Sequence, residues 1–468
     1  MKRIKVTVLL LCAVCLLASC NKSDLSGYDP KGNTQSNAEG AVSSRPDIVS
    51  EAGMESNDAQ NQNRVKIMDL DELLNNTKQE DLSCSGYDLK KFTSPFYKSQ
   101  IVYNEGLFLR NDDKGKLIET GLYFKPLKVL EVRSNDFQTL YVEGSDYNFD
   151  SNGNLSIPAG SRIKPMENNV FFPPSADGNE GWKYKKDGKE FFSVNNRTAL
   201  YAARILVTYA RAEEYTGYET MDKSALLTLT EKLNQNKDIN LLFLGDSITA
   251  GAGLSDSEMV MNYVKLTAEG IQSRTKGKVT TENCAVSGTS SLDHTFLIDG
   301  TPEKIHENQK QSAIDGFNKG KAFAKKADVI FIAFGANDGA GWMNGGLTSA
   351  QYTANIKKLV DYYRGINPDC SVVLVSSFRP NIYIYTNETT KLVGGDFEQY
   401  ANALGAIETG KTYENHKNLV YADVFRMQQA LLKNKHPEDF LGDNRNHPSD
   451  YMTRIYAQTI LGTILNNY

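Results

Sequence analysis

Four short apolar runs, separated by helix-length segments, set the strongest limit on how the C-terminal half of the chain folds. The runs are Ile239–Leu244, Val329–Phe334, Val372–Val375 and Leu419–Tyr421. They are apolar at nearly every position, which is typical of strands that are covered on both faces. Segments such as Ser349–Arg364 and Asp450–Leu465 are long enough to form helices between and after them. Residues 236–468 are therefore predicted to form a three-layer α/β/α domain around a parallel sheet.

The chain from residue 64 to residue 220 shows a different pattern. Runs such as Val129–Val132 and Ile205–Tyr209 are rich in β-branched and aromatic residues and are separated by turn signals. Only Leu70–Asn76 has the pattern of a short helix. These features predict a β-sandwich-like accessory domain over residues 64–220. Leucines spaced by charged residues predict a linker helix over residues 221–235.

The first 63 residues are predicted to be a leader and a tether. Basic residues precede an apolar run that ends in Leu17-Ala18-Ser19-Cys20, which resembles the lipobox of bacterial lipoproteins. The resemblance implies that residues 1–20 are a lipoprotein signal peptide and that Cys20 is lipidated. Cleavage without lipidation is the alternative, and the run is shorter than the ~20 residues that span a bilayer. Residues 21–63 are polar and are predicted to form a flexible tether. We therefore expect an exported protein, lipid-anchored to a bacterial membrane in the periplasm or on the cell surface.

The composition is that of a globular protein without the charge pattern of a nucleic-acid-binding protein. Hydrophobic residues make up 40% and charged residues 23% of the chain, and the formal net charge is −5. No nucleic-acid partner is expected. Outside the leader, Cys84, Cys284 and Cys370 have no close spacing, which favours buried thiols over a disulfide framework. No cluster has metal-ligand spacing, so no metal and no cofactor are predicted. The sequence leaves the oligomeric state open.

Four sequence blocks follow the predicted strands of the second domain. The first strand runs directly into Gly245-Asp246-Ser247, where open α/β sheets place their sites, although a serine that caps the next helix looks the same. The other blocks contain Gly288, Asn337 in Gly335-Ala336-Asn337-Asp338, and His447-Pro448. In this order and at this spacing, the blocks resemble those of the SGNH/GDSL hydrolase family. The resemblance implies an SGNH hydrolase fold over residues 236–468 and a serine ester hydrolase activity.

The resemblance also implies roles for individual residues. Ser247 is expected to be the nucleophile and His447 the base, because a serine hydroxyl needs a neighbouring base to take its proton. The backbone N–H groups of Ser247 and Gly288, together with the side-chain amide of Asn337, are expected to form the oxyanion hole.

The acid of the predicted triad is less clearly marked. The family places an aspartate three residues before the histidine, and in this chain that position is Asn444. Asp443 lies one residue earlier. We favour Asp443 as the acid, because an asparagine orients an imidazole but supplies no countercharge. Asn444, or a Ser–His pair without an acid, is the alternative.

Three functions are compatible with these features. The favoured hypothesis is an esterase that removes O-acetyl groups from a complex carbohydrate, with an acetylated poly- or oligosaccharide as its substrate. The second is a lipase or lysophospholipase of the same family. The third is a catalytically silent surface lipoprotein that binds glycan through its β domain.

Overall fold

The computed structural model describes residues 65–173, 183–186, 189–192, 194, 196–220, 226–255, 262–340, 346–381 and 394–465. The described residues belong to one compact unit. The predicted signal peptide over residues 1–20, its lipidation site Cys20 and the predicted tether over residues 21–63 lie outside them and stay predictions.

The secondary structure comprises twelve described strands and fourteen described α-helices. The strands are β1 Ile101–Phe108, β2 Pro126–Ser134, β3 Asn148–Phe149, β4 Leu155–Ser156, β5 Lys183–Lys186, β6 Lys189–Phe192, β7 Arg204–Arg211, β8 Ile239–Gly245, β9 Val279–Asn283, β10 Val329–Ala333, β11 Ser371–Val375 and β12 Leu419–Ala422. The helices are α1 Leu70–Asn76, α2 Leu89–Thr93, α3 Asn168–Phe171, α4 Arg197–Ala202, α5 Leu227–Asn234, α6 Ser247–Ala250, α7 Tyr263–Gln272, α8 Ser291–Ile298, α9 Glu307–Ala324, α10 Ala336–Ala340, α11 Ser349–Ile366, α12 Gly394–Glu408, α13 Val424–Leu431 and α14 Asp450–Ile464.

The main sheet is parallel and has the strand order β12-β11-β10-β8-β9. The four predicted apolar runs are β8, β10, β11 and β12, so this part of the prediction is confirmed. Strand β9 was not predicted, because its sequence Val-Thr-Thr-Glu-Asn is mostly polar and only partly buried at the sheet edge. The chain moves from β8 to the edge strand β9 and then to β10 on the other side of β8. This reversal opens a crevice at the carboxyl ends of β8 and β10.

Helices cover both faces of the main sheet. Leu241 and Phe243 of β8 belong to the same hydrophobic cluster as Ile455 of α14. Their neighbours along the strand, such as Leu242, belong to a second cluster with Ile356 of α11. Because alternate side chains enter opposite layers and both layers are buried, the strand is apolar at nearly every position. The predicted three-layer α/β/α fold is confirmed.

The N-terminal region is β-rich, as predicted, and α1 has the predicted bounds. Its largest described sheet has three antiparallel strands in the order β1-β7-β2, accompanied by the two-stranded pairs β3–β4 and β5–β6. Instead of facing a second sheet of similar size, β1 packs directly on α14. A Cβ at Gly106 would come within 2.8 Å of Tyr451 Cβ. The apolar face of the sheet is thus buried against the last helix of the chain. The predicted linker helix is described as α5, and residues 221–225 lie outside the described residues.

A buried group of three charges joins the two regions. Lys435 Nζ lies 2.8 Å from Glu105 Oε1 and 3.3 Å from Asp439 Oδ2, and these side chains are at most 1% exposed. Glu105 also accepts a 2.7 Å hydrogen bond from the Tyr209 hydroxyl, and Asp439 accepts one of 2.7 Å from the Phe108 backbone N–H. Buried charges are tolerated only when they are paired and hydrogen-bonded in this way. The group therefore ties β1 and β7 to a segment near the C-terminus.

We expect Lys435→Met to lower the free energy of unfolding by about 3–5 kcal/mol, because two buried carboxylates lose their countercharge. Urea unfolding followed by circular dichroism measures this change. Lys358→Met is the matched control, because its pair with Asp299 is 39% and 50% exposed; such pairs contribute about 0–1 kcal/mol. Equal losses in the two variants would contradict the prediction.

Candidate active site

The serine of the first block lies in a tight turn at the end of β8. A Cβ at Gly245 would lie 2.7 Å from the Ala333 carbonyl oxygen, so only glycine allows the two strands to approach there. Asp246 caps the following one-turn helix α6, with its carboxylate accepting a 2.9 Å hydrogen bond from the Ile248 N–H. The capping residue is thus Asp246, which leaves the Ser247 hydroxyl available at the carboxyl end of the strand.

Three predicted side chains meet at this point. His447 Nε2 lies 2.8 Å from Ser247 Oγ, although the two residues are 200 positions apart in the chain. His447 Nδ1 forms a short hydrogen bond with Asp443 Oδ2. The second carboxylate oxygen, Oδ1, accepts hydrogen bonds from the backbone N–H groups of Arg445 at 2.9 Å and His447 at 3.2 Å. The structure therefore places serine, imidazole and carboxylate in the order of a catalytic triad.

The environment of Asp443 favours the charged form of its carboxylate. Burial raises the pKa of Asp443, but the hydrogen bond and charge of His447 and the backbone N–H groups outweigh burial and hold the pKa below its usual range. An ionised Asp443 accepts a hydrogen bond from the Nδ1–H group, which leaves Nε2 of the neutral ring to accept a proton from Ser247. This arrangement gives the imidazole a fixed tautomer and a countercharge.

Asn444 faces away from the imidazole. Its side chain is buried and its Oδ1 accepts a 3.0 Å hydrogen bond from Asn381 Nδ2, which also donates to the Asn444 carbonyl at 2.8 Å. Its backbone is left-handed, with φ of 56°, a conformation that asparagine tolerates better than most residues. This turn accommodates the additional residue between acid and histidine. Of the alternatives left open by the sequence, the structure places Asp443 against His447.

The residues predicted for the oxyanion hole line the same cavity. Ser247, Gly288, Asn337 and His447 all border a space of about 410 Å³. Gly288 has a φ of 82°, which explains why a glycine is needed there. Asn337, in the first turn after β10, donates a 2.9 Å hydrogen bond from Nδ2 to the Thr289 carbonyl, which fixes its amide beside Gly288. All of the site residues predicted within the described chain are thus brought together.

Two buried carboxylates beneath the site were not predicted to have a role. Asp338 accepts a 3.0 Å hydrogen bond from the Ser291 backbone N–H, which connects the start of α8 with α10. Burial raises the pKa of Asp338 to about 6 and that of Asp246 to about 7. Both belong to blocks that the sequence singled out. Their burial results from tertiary packing, so no separate signal for it exists in the sequence.

Within the described ranges, no group of three or more His, Cys, Asp and Glu residues is arranged to hold a metal ion. Over the same part of the chain, no helix is both long and apolar enough to cross a membrane. Cys84, Cys284 and Cys370 are buried free cysteines, as predicted.

A hydroxyl, an imidazole and a carboxylate in this order, beside amide donors, define the site of a serine hydrolase. Residues 243–455 match the model of the GDSL-like lipase/acylhydrolase family. The resemblance found in the sequence is confirmed: this part of the chain is a GDSL-like acylhydrolase domain, the domain of an ester hydrolase.

Solved structures similar to this chain share less than 20% sequence identity with it in the matches described below. No curated protein sequence matches the chain. Similar solved structures include an acetylxylan esterase from Geobacillus stearothermophilus, at 19% identity over 48% of this chain and 92% of that one, with a TM-score of 0.34. A two-domain esterase active on acetylated mannans shares 15% identity over 52% of this chain and 53% of its own, with a TM-score of 0.34. A lipase/acylhydrolase from Enterococcus faecalis shares 18% identity over 48% of this chain and 93% of its own, with a TM-score of 0.33.

The raised pKa of Asp246 predicts a pH-dependent effect of Asp246→Asn on stability. Between the ordinary value of 3.8 and about 7, the folded protein holds a proton that the unfolded chain releases. This carboxyl therefore lowers the free energy of unfolding as the pH rises through that range. An asparagine still accepts the Ile248 N–H but does not ionise. The variant should thus gain stability relative to the wild type from about pH 4 to about pH 7, with a constant difference above. Urea unfolding at several pH values tests this, and a difference that does not change with pH would contradict it.

Proposed function

We propose that the protein is a serine esterase that removes O-acetyl groups from a complex carbohydrate, with Ser247 as nucleophile, His447 as base and Asp443 as acid. The observation that carries the proposal is the continuous hydrogen-bonded path from Ser247 Oγ through the His447 ring to the Asp443 carboxylate. This path supplies what a serine hydroxyl lacks, a positioned base with a countercharge.

The reaction proceeds in two steps. His447 Nε2 takes the proton of Ser247 Oγ while that oxygen attacks the ester carbonyl carbon. The N–H groups of Ser247 and Gly288 and the Asn337 amide stabilise the resulting oxyanion, and Asp443 balances the charge of the imidazolium. The imidazolium then donates its proton to the leaving sugar oxygen, which leaves an acetylated Ser247. A water molecule, deprotonated by His447, attacks this ester and releases acetate and the free serine.

The residues that border the cavity support a substrate in which a small acyl group is esterified to a polar molecule. The described residues that border it include Ser290, Asp293, Gln309 and Asn446, whose polar side chains can hydrogen-bond to sugar hydroxyls. Sugar hydroxyls need hydrogen-bonding partners in a closed site, whereas a long acyl chain needs a continuous apolar wall. These polar side chains support a carbohydrate ester as the substrate.

The leader supports a proposal on location. Basic residues, a short apolar run and the sequence Leu17-Ala18-Ser19-Cys20 are typical of a protein that is exported and anchored through a lipid on its first mature cysteine. We therefore propose that the esterase acts outside the cytoplasm of a bacterium, on the membrane, with residues 21–63 as the tether.

Acetate release from acetylated polysaccharides tests the proposed activity. The wild type should release acetate from at least one of acetylated xylan, mannan and pectin, and should cleave 4-nitrophenyl acetate. Ser247→Ala should lose both activities by a factor of about 10⁶, because the nucleophile is absent. Ser287→Ala, a neighbouring serine that borders the same cavity, is the control and should remain active. Preference for long-chain acyl esters would point to a lipase, and no hydrolysis by the wild type would leave only a binding protein.

If Asp443 is the acid, replacing it should lower kcat far more than replacing its neighbour Asn444. Asp443→Ala should lower kcat by up to about 10⁴-fold, because the imidazole loses the acceptor that fixes its tautomer and stabilises its charge. Asn444→Gly keeps the left-handed backbone conformation and should stay within about tenfold of the wild type. Steady-state hydrolysis of 4-nitrophenyl acetate measures both. A greater loss in Asn444→Gly would transfer the acid role to Asn444.

A further inference from the structure

A residue of the N-terminal sheet forms hydrogen bonds with the backbone at the start of the segment that carries the acid and the base. We call Leu441–Pro448 the histidine loop. Arg204, the first residue of β7, is 3% exposed. It donates hydrogen bonds to the carbonyl oxygens of Asp439 at 3.1 Å and Glu438 at 3.0 Å. The same guanidinium also donates a short hydrogen bond to the Leu441 carbonyl. One buried side chain thus fixes the backbone where the histidine loop begins.

The histidine loop transmits this constraint to its other end. The Gly442 N–H donates a 2.9 Å hydrogen bond to the His447 carbonyl, and Leu441 pairs with Pro448 in an antiparallel bridge. Because the loop is closed in this way, a displacement of Leu441 displaces His447 as well. A change of about 1 Å in the position of a reacting group lowers the rate by about 100-fold.

A second contact from the same region supports the His447 side chain near its Cβ. The Arg204 guanidinium lies 4.9 Å from the ring centre of Phe108 and 5.5 Å from that of Tyr201. The Tyr201 hydroxyl donates a 2.7 Å hydrogen bond to the Gly253 carbonyl. Gly253 packs so closely on His447 that a Cβ there would overlap the histidine side chain. The N-terminal region therefore contacts both the start of the histidine loop and the segment that packs on the Cβ of His447.

We infer that Arg204 is a positioning residue for the reaction: it sets the distance between His447 and Ser247 by holding the backbone carbonyls ahead of Asp443. The N-terminal β region is then a part of the catalytic unit, and its removal would leave a displaced histidine. This inference rests on the proposed esterase function. The rival explanation is that Arg204 only stabilises the fold.

Arg211 provides a matched control. It lies at the other end of the same strand, is 1% exposed, and also donates to three backbone carbonyls. Those belong to Ser99 at 2.9 Å, Tyr97 at 3.1 Å and Glu213 at 3.1 Å. Its guanidinium lies over the Phe124 ring, 4.7 Å from the centroid. None of these partners belongs to the histidine loop. Arg211→Met therefore removes a similar buried arginine but leaves the hydrogen bonds to the histidine loop intact.

The experiment compares Arg204→Met, Arg204→Lys and Arg211→Met in the full chain. Thermal unfolding gives Tm, and 4-nitrophenyl acetate hydrolysis gives kcat and KM, with the enzyme concentration determined by active-site titration of Ser247. We expect Tm to fall in all three. In Arg204→Met, kcat should fall by about 100-fold with little change in KM, because only the alignment of the base is altered. Arg204→Lys retains a donor and should recover part of kcat, and it replaces the methionine variant should that one not fold. Arg211→Met should keep the wild-type kcat. Equal kcat in the two methionine variants, or in Arg204→Lys and the wild type, would overturn the inference.

A spectroscopic measurement separates this inference from the proposed activity. The Nδ1 proton between His447 and Asp443 should give a nuclear magnetic resonance signal far downfield of the amide protons, absent in His447→Gln. The signal should shift or disappear in Arg204→Met and Arg204→Lys and stay unchanged in Arg211→Met. An unchanged signal in both Arg204 variants would overturn the positioning role even in an active enzyme. Without any esterase activity in the wild type, the same shift would still show that Arg204 orients the imidazole.

Discussion

The hydrogen bond between Ser247 and His447 is the contact that the rest of the structure makes possible. It joins residues that are 200 positions apart. The parallel sheet fixes one partner, because β8 ends in a turn where only glycine allows the approach of β10. The other partner comes from a loop ahead of the last helix, which packs on both the main sheet and the N-terminal sheet. A bond of 2.8 Å tolerates little displacement, so each end needs a rigid support.

The support on the histidine side consists largely of buried polar and charged groups. Lys435, Glu105 and Asp439 form one such group, and Arg204 with its carbonyl partners forms another. Buried groups of this kind contribute little net stability, because desolvation offsets much of their attraction. They are directional, however, and apolar contacts are not. A cluster of this type therefore fixes the orientation of the backbone ahead of Asp443, which apolar packing alone would leave less defined.

Some elements were predictable because they depend on local pattern. The strands β8, β10, β11 and β12 are buried on both faces and are continuously apolar, and α1 has its own helical spacing. Strand β9 was missed because an edge strand is half-exposed and needs no apolar pattern. The β region was expected to be β-sandwich-like, because short strand-like runs separated by turn signals are typical of two packed sheets, each with one buried face. The partner of that face, the helix α14, lies at the far end of the chain and leaves no mark in the strand sequences.

The sequence by itself determined which groups meet at the proposed site: the serine in its glycine turn, the amide of Asn337, the glycine at position 288 and the histidine ahead of the last helix. These depend on residue type and order, which blocks of a few residues carry. The tertiary structure alone decided which carboxylate faces the imidazole. Asp443 and Asn444 are neighbours, and the left-handed turn at Asn444 together with the amide of Asn381 directs one side chain to the histidine and the other away from it. The structure also decided that the N-terminal sheet supports the histidine loop, because contacts between residues more than 200 positions apart follow from packing and not from local sequence.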